Sequence, residues 1–252
     1  MALQDRAKAG SGQDEDAMRY ALYFTPPKDE ALTLAASAWL SRDAFLDGRV
    51  PTPEVPGFST EELGTLTADP RRYGFHATLK APFELAPGRT EAELLAALDE
   101  FSAESEPFEI PSLTLGQLGP FFALVPGAPS DALASFAAET VRRFEPFRAA
   151  LSPEDMERRK PETLPPAERR NLETWGYPYV FDAFRFHMTL TGKVPEDRRP
   201  AMRTALEEAF AGFLGKPLPV TALALFIEPK RGSPFTVHSL MPLGDAAIEG
   251  EK

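Results

Sequence analysis

The chain carries only three histidines in 252 residues, and two of them sit in the same five-residue phrase, Phe75-His76-Ala77-Thr78-Leu79 and Phe186-His187-Met188-Thr189-Leu190. A second copy arising by chance has odds on the order of one in a thousand. In an extended strand neighbouring side chains point to opposite faces. Each phrase therefore sets an imidazole and a hydroxyl on one face and three apolar side chains on the other. Two imidazoles facing each other across a phosphodiester can divide its hydrolysis. One, neutral, takes a proton from water; the other, protonated, gives one to the leaving oxygen, each role being worth roughly 10²–10⁴ in rate. A pH–rate curve with both limbs near neutrality is expected. Thr78 and Thr189 can donate to the non-bridging oxygens, where charge develops. No metal or cofactor is expected, since neither histidine has a second one four positions away or an acid within three.

Further candidates follow from position. Lys80 lies two after Thr78 and Arg185 two before His187, so strand parity puts both on the reactive face as partners for an anionic substrate. Arg72, four before His76, shares that parity near the strand's start. Tyr23, on the first strand, either lines the cleft or fills the core. His238 reads as a surface histidine on a strand, and Trp39 and Trp175 as core anchors.

Composition narrows the class. A net charge of −11 argues against a stable nucleic-acid partner, which would need phosphate neutralisation by Lys and Arg. It leaves room for a small anion in a locally basic cleft. The absence of cysteine removes disulfides, thiolate metal sites and cysteine nucleophiles. No apolar run is long enough for a membrane helix, and the polar, acidic start is unlike a signal peptide. A cytoplasmic home without membrane association is the expectation; nothing in the sequence sets an oligomeric state.

Residues 1–18 and 244–252 read as disordered tails around a body at 19–243. A strand at Tyr20–Phe24 precedes a helix over about 29–41, then a Pro- and Gly-rich loop over 47–70. The first motif strand spans about 74–82. A capping box, Thr90 with Glu93, then opens a helix, and strands follow at 108–117 and 121–125. A helix over 130–151 bridges to an insertion at 152–175 dense in proline and charge. The second motif strand spans 184–192, followed by a helix over 195–213 and strands at 218–228 and 235–242. From His76 to Phe121 is 45 residues, and from His187 to Phe235 is 48. Shared order and spacing indicate a duplicated βαββ unit. The expected product is an α+β fold with two antiparallel sheets flanked by helices, in lobes at about 19–127 and 176–243 joined by a bridge at 128–175. A pseudo-twofold would carry the two histidines to opposite walls of a central cleft.

The tandem His-x-Thr phrases resemble the 2H phosphoesterase superfamily. The longer runs Arg72-Tyr73-Gly74-Phe75-His76-Ala77-Thr78-Leu79-Lys80-Ala81-Pro82-Phe83, Trp175-Gly176-Tyr177-Pro178-Tyr179-Val180 and Phe184 to Gly192 are similar to its branch associated with phosphonate-degradation genes, as are Arg19 to Phe24 and Trp39-Leu40. The resemblance covers about residues 19–243. It implies the bilobal fold, His76, His187, Thr78 and Thr189 as catalytic positions, and a small phosphorylated sugar or nucleotide as partner. It suggests a ribose cyclic phosphate such as 5-phosphoribosyl 1,2-cyclic phosphate as substrate. The alternatives are a 2′,3′-cyclic nucleotide or RNA-end phosphodiesterase and a non-catalytic protein that binds a phosphate ligand.

Overall fold

The first strand, β1 (Arg19–Phe24), runs into Pro26-Pro27, which cannot continue it, and α1 (Ala31–Leu40) follows. The computed structural model describes residues 17–244; most of the expected tails, 1–16 and 245–252, lies outside them. A two-residue hairpin, β2 (Arg42–Asp43) with β3 (Gly48–Arg49), opens the segment read as a long loop. That segment then folds into α2 (Thr60–Leu66) and α3 (Ala68–Tyr73). The Ser59 hydroxyl accepts from Glu62 N at 3.1 Å, and Glu61 and Glu62 occupy the first turn of α2. This cap sits after the Pro-rich stretch and begins a helix within it.

The first repeat then runs β4 (Ala77–Phe83), α4 (Glu91–Glu104), β5 (Phe108–Ile110), β6 (Leu113–Leu118) and β7 (Phe121–Pro126). The capping box at Thr90 and Glu93 is present at the start of α4. Pro111 divides the strand expected over 108–117, because proline has no N–H for the ladder. The bridge is α5 (Asp131–Arg143), shorter than expected. Pro146 cannot continue it, and a 3₁₀ turn at Glu145–Phe147 takes over. The insertion forms α6 (Pro153–Arg158) and α7 (Pro166–Trp175). The second repeat runs β8 (Met188–Thr189), α8 (Arg199–Ala209), β9 (Leu218–Val220), β10 (Ala222–Glu228) and β11 (Thr236–Pro242). The duplicated order is therefore present, but the second motif strand is two residues long and α8 ends short of Phe213.

The fold is α+β, and the strands are antiparallel. They join edge to edge in the order β11-β10-β1-β4-β8-β7-β6. The two sides meet where β4 touches β8, through the single pair Ala77↔Met188. Each side draws strands from both repeats. The β6–β7 hairpin of the first lies beside β8, and the β10–β11 hairpin of the second lies beyond β1 and β4. The lobes are thus not the contiguous halves 19–127 and 176–243. A second crossover pairs β5 with β9, the equivalent strands of the two repeats.

One face of this sheet buries the main core. Phe75, Ala77, Leu79, Phe186, Met188 and Leu190, the six apolar members of the two phrases, all belong to it. Trp39, also buried there, donates its indole N–H to Leu190 O at 2.9 Å and so ties α1 to the exit of β8. The opposite face carries a smaller cluster of Ala21, Tyr23, Ala224, Phe226 and Phe235 beneath the site. Among the described residues no helix is long and apolar enough to cross a membrane.

Lys80 departs from the expectation of strand parity. Tyr23 pairs with Thr78, but Leu22 pairs with Lys80, so Leu79 is an extra residue in β4 and the ladder bulges there. A bulge sets two residues against one and breaks the alternation. Lys80 turns away from the reactive face, only 3% exposed, and its ammonium donates to Glu145 at 2.8 Å and to Val141 O at 3.2 Å. It is a strut between β4 and the bridge. Removing one partner of such a buried pair leaves the other short of its counter-charge. Lys80→Ala should therefore lower stability by about 3 kcal/mol in urea unfolding. A variant of unchanged stability would contradict this placement.

Candidate active site

The pair Ala77↔Met188 decides what the motifs can do together. These are equivalent residues of the two phrases, so the pseudo-twofold passes between them. Antiparallel register then places His76 opposite Thr189 and Thr78 opposite His187, all four pointing away from the core. Directly opposed side chains have Cβ atoms about 4.5–5.5 Å apart. The two His-Thr sets thus form one compact patch.

The imidazoles are held alike. His76 Nδ1 donates to Gly74 O at 2.9 Å, and His187 Nδ1 donates to Arg185 O at 2.7 Å, in both cases the carbonyl two residues back. With the proton so fixed on Nδ1, each neutral ring presents the lone pair of Nε2. The Thr78 hydroxyl already lies 3.3 Å from His76 Nε2 and donates to it. Gly74 makes the first anchor possible. Its φ is +77°, and a Cβ there would stand 2.5 Å from that of Ala44.

His76 and Thr189 line one cleft of about 400 Å³, together with Tyr73, Pro120, Phe121, Thr191 and Lys193. The His187 ring lies 6.0 Å from that of Phe121. Other concavities, against Trp39, Pro53 and Ala205 and against Pro26, Phe213 and Pro217, contain no histidine. Tyr23, 1% exposed, is the floor: its ring stacks on His76 with centroids 3.9 Å apart and planes 22° from parallel. Tyr23 thus belongs to the buried cluster and supports the site from below. Burial against these rings is the main force holding the His76 imidazole down, at about 4; the nearby His187 pushes the same way, and the Gly74 carbonyl opposes. His76 is neutral at pH 7, and the expectation that both limbs fall near neutrality does not hold for it.

The other expected substrate contacts are engaged elsewhere. Arg185 is exposed, and its guanidinium donates to the carbonyls of Asp182 and Phe184. The chain before β8 is not a strand, so parity does not apply, and Arg185 serves through its own carbonyl. Arg72 belongs to α3 rather than to a strand. It pairs with the fully buried Glu228, donates to Ser233 O and packs over Tyr73. Thr191 accepts from Phe122 N at 2.9 Å and is structural. His238 lies exposed on β11, bonded to Ser239. Lys193, Tyr73 and Phe121 line the cleft without having been singled out. Tyr73 directly follows Arg72 in the motif run, and Phe121 stands in the Pro-Phe turn used to measure the repeat, so both had a signal. Lys193 had none. Among the described residues no group of three His, Asp or Glu could hold a metal ion.

Fold and site together define an α+β protein in which two repeats each deliver a histidine and a threonine to a shared patch. The family described as "Protein of unknown function (DUF1045)" matches residues 78–236, and the chain belongs to it. "Ribose 1,5-bisphosphate phosphokinase PhnN" of Janthinobacterium sp. (strain Marseille) is 37% identical over 232 residues, which cover 90% of this chain and 51% of the relative. The protein of the same name from Laribacter hongkongensis (strain HLHK9) is 34% identical over 230 residues, covering 89% and 52%. The chain spans about half the length of these curated relatives. Among solved structures, TT0787 of Thermus thermophilus has a TM-score of 0.44 at 16% identity, with 90% of this chain and 99% of that one covered. E. coli LigT complexed with 3′-AMP has a TM-score of 0.40 at 16% identity, covering 90% and 98%.

With three histidines in the chain, proton NMR should resolve each ring. His76 should titrate near pH 4, and in Tyr23→Leu, which opens the floor to water, its midpoint should rise towards 6.5. A His76 midpoint already near neutrality in the wild type would refute desolvation by Tyr23.

Proposed function

We propose that this chain is a metal-independent phosphodiesterase of the 2H type acting on a small cyclic phosphate ester. The observation that supports the proposal is the Ala77↔Met188 pairing, whose register brings the two His-Thr pairs into one patch, with His76 and Thr189 lining a cleft. His76, held neutral, is the base: its Nε2 takes a proton as water attacks phosphorus. His187, protonated at Nε2, is the acid. It gives its proton to the alkoxide as the P–O bond to the leaving oxygen breaks, and proton exchange with solvent resets both rings. Thr189, and Thr78 once its hydroxyl turns from His76, donate to the non-bridging oxygens.

The preferred substrate is a ribose cyclic phosphate such as 5-phosphoribosyl 1,2-cyclic phosphate, with a role in phosphonate breakdown. The curated relatives support this, since their name specifies a ribose phosphorylated at carbons 1 and 5. Their kinase activity is not carried over. The chain spans half of them and contains no G-x-x-x-x-G-K-[ST] phosphate loop. A second reading, a 2′,3′-cyclic nucleotide phosphodiesterase, is favoured by the aromatic lining of the cleft, Tyr73 and Phe121, which can stack a base.

Turnover of the ribose cyclic phosphate over 2′,3′-cyclic AMP decides between the two. His76→Ala and His187→Ala should each cost roughly 10²–10⁴ in kcat while substrate still binds. Variants that keep wild-type turnover would end the proposal. The base must be unprotonated, so activity should fall with decreasing pH only as His76 protonates, with a midpoint near 4. An acid limb near neutrality that disappears in His187→Gln would reverse the two roles.

A further inference from the structure

At the outer end of β1 lies a smaller cavity of about 90 Å³ lined by Arg19, Arg159 and Arg231 with Glu84 and Asp155. In a protein of net charge −11, three guanidinium groups around so small a space call for an account. The local carboxylates are already taken. Asp155 accepts both terminal nitrogens of Arg231, at 2.7 and 3.0 Å, and is also reached by Arg158; Glu84 accepts from Arg231 at 2.7 Å. Glu228 is shared by Arg19 and Arg72.

Arg159 is left over. Among the described residues its guanidinium has no hydrogen-bond or ion-pair partner, although it is half-buried. It lies 5.6 Å over the ring of Tyr177, which orients it but offers no strong acceptor. Burial disfavours its charged form most strongly; Tyr177 and Asp155 oppose this in part, and the like charges of Arg19 and Arg158 add a smaller push in the same direction as burial. An arginine withdrawn from water without a hydrogen-bonded counter-charge is costly, and its planar fork fits a phosphate oxygen pair.

The cavity is connected to the chemistry. Tyr23 stacks on His76 and, four residues along β1 from Arg19, is close enough to feel the charge of Arg19 and the hydroxyls of Tyr73 and Tyr177. Tyr177, under the Arg159 guanidinium, is in turn within electrostatic reach of Tyr73, which lines the histidine cleft. Arg19 and Tyr23 are about 13 Å apart along the strand, and both reach the ring of Phe235, the guanidinium of Arg19 at 5.7 Å and the ring of Tyr23 at 6.2 Å.

We infer that Arg159, flanked by Arg19 and Arg231, forms a second anion site that holds a phosphomonoester on the same molecule whose cyclic phosphodiester lies between the histidines. The inference deepens the proposed function and rests on it for the reacting group. It selects a sugar bearing a separate phosphate over a nucleoside cyclic phosphate with none. It also gives the insertion a task, since Arg159 lies within it and Tyr177 directly after it, in the stretch that separates the repeats.

The test has a binding arm that is independent of turnover. Ribose 5-phosphate is titrated calorimetrically into the wild type, Arg159→Gln, Arg159→Lys and the double variant His76→Ala, His187→Ala, each checked for an unchanged thermal midpoint. Affinity should fall about ten- to a hundredfold in Arg159→Gln, less in Arg159→Lys, and persist in the double histidine variant. Loss confined to the histidine variant, or equal affinity in all four, would overturn the site. Inorganic phosphate titrated in parallel should bind more weakly than ribose 5-phosphate and compete with it; equal affinity would mean a free-phosphate site, overturning the assignment to a substrate arm. In the kinetic arm, the ratio of kcat/KM for phosphoribosyl 1,2-cyclic phosphate to that for ribose 1,2-cyclic phosphate should fall by a similar factor in Arg159→Gln. If the wild type turns over no cyclic phosphodiester at all, the proposed function fails while the binding arm still decides the subsite.

Discussion

The structure depends on a contact one residue wide. Ala77 and Met188, equivalent positions in two repeats, pair directly across an antiparallel seam. A shift of the seam by one residue would turn each histidine into the core and its apolar neighbours into the cleft. The seam is short because β8 is short, so its register is enforced from outside it. β1 pairs along the far side of β4, and β7 along the far side of β8. Beneath, Phe75, Leu79, Phe186 and Leu190 lock the alternation into the main core, with Trp39 holding the carbonyl of Leu190. Burial of these side chains, a few kcal/mol for each large one, keeps the four polar groups on the other face.

The same sheet face joins two electrical environments. At His76 the imidazole is neutral and partly dry. The ring of Tyr23 under His76 removes water from the imidazole and lowers its affinity for protons, which suits a base at pH 7. Further along β1, charge is concentrated. Glu228, wholly buried, is balanced by Arg19 and Arg72, and Arg231 by Asp155 and Glu84. Buried charge in this quantity is tolerated only where geometry pairs it, and among the described residues Arg159 is the member of the group left without an ion-pair partner. Lys80 follows the same rule on the other face, matched to Glu145.

The exchange of hairpins between the repeats explains how so short a motif strand persists. If each repeat folded upon itself, β8 would need its own neighbours from the second repeat. Instead it is flanked by β7 from the first, while β5 and β9 cross-pair elsewhere. Neither repeat completes its sheet alone, so folding the two together is what builds the cleft.

Alternation, capping and repetition are local properties, and the chain by itself determined them. The phrases around His76 and His187, the capping box at Thr90 and the order of elements in both repeats follow from side-chain period and backbone chemistry within a few residues. Positions whose role depends on distant pairing were not legible. Strand parity misplaces Lys80 because a bulge at Leu79 forms only against β1, and Arg72 because its carboxylate, Glu228, lies 156 residues away. For Arg185 parity names a face that exists only in a strand, and β8 begins only at Met188. Lys193 and the unpaired Arg159 become visible only once three separate segments converge. Parity along one strand is written in the sequence; which strands meet, and which charges are left without a partner, are decided by the packing of the whole chain.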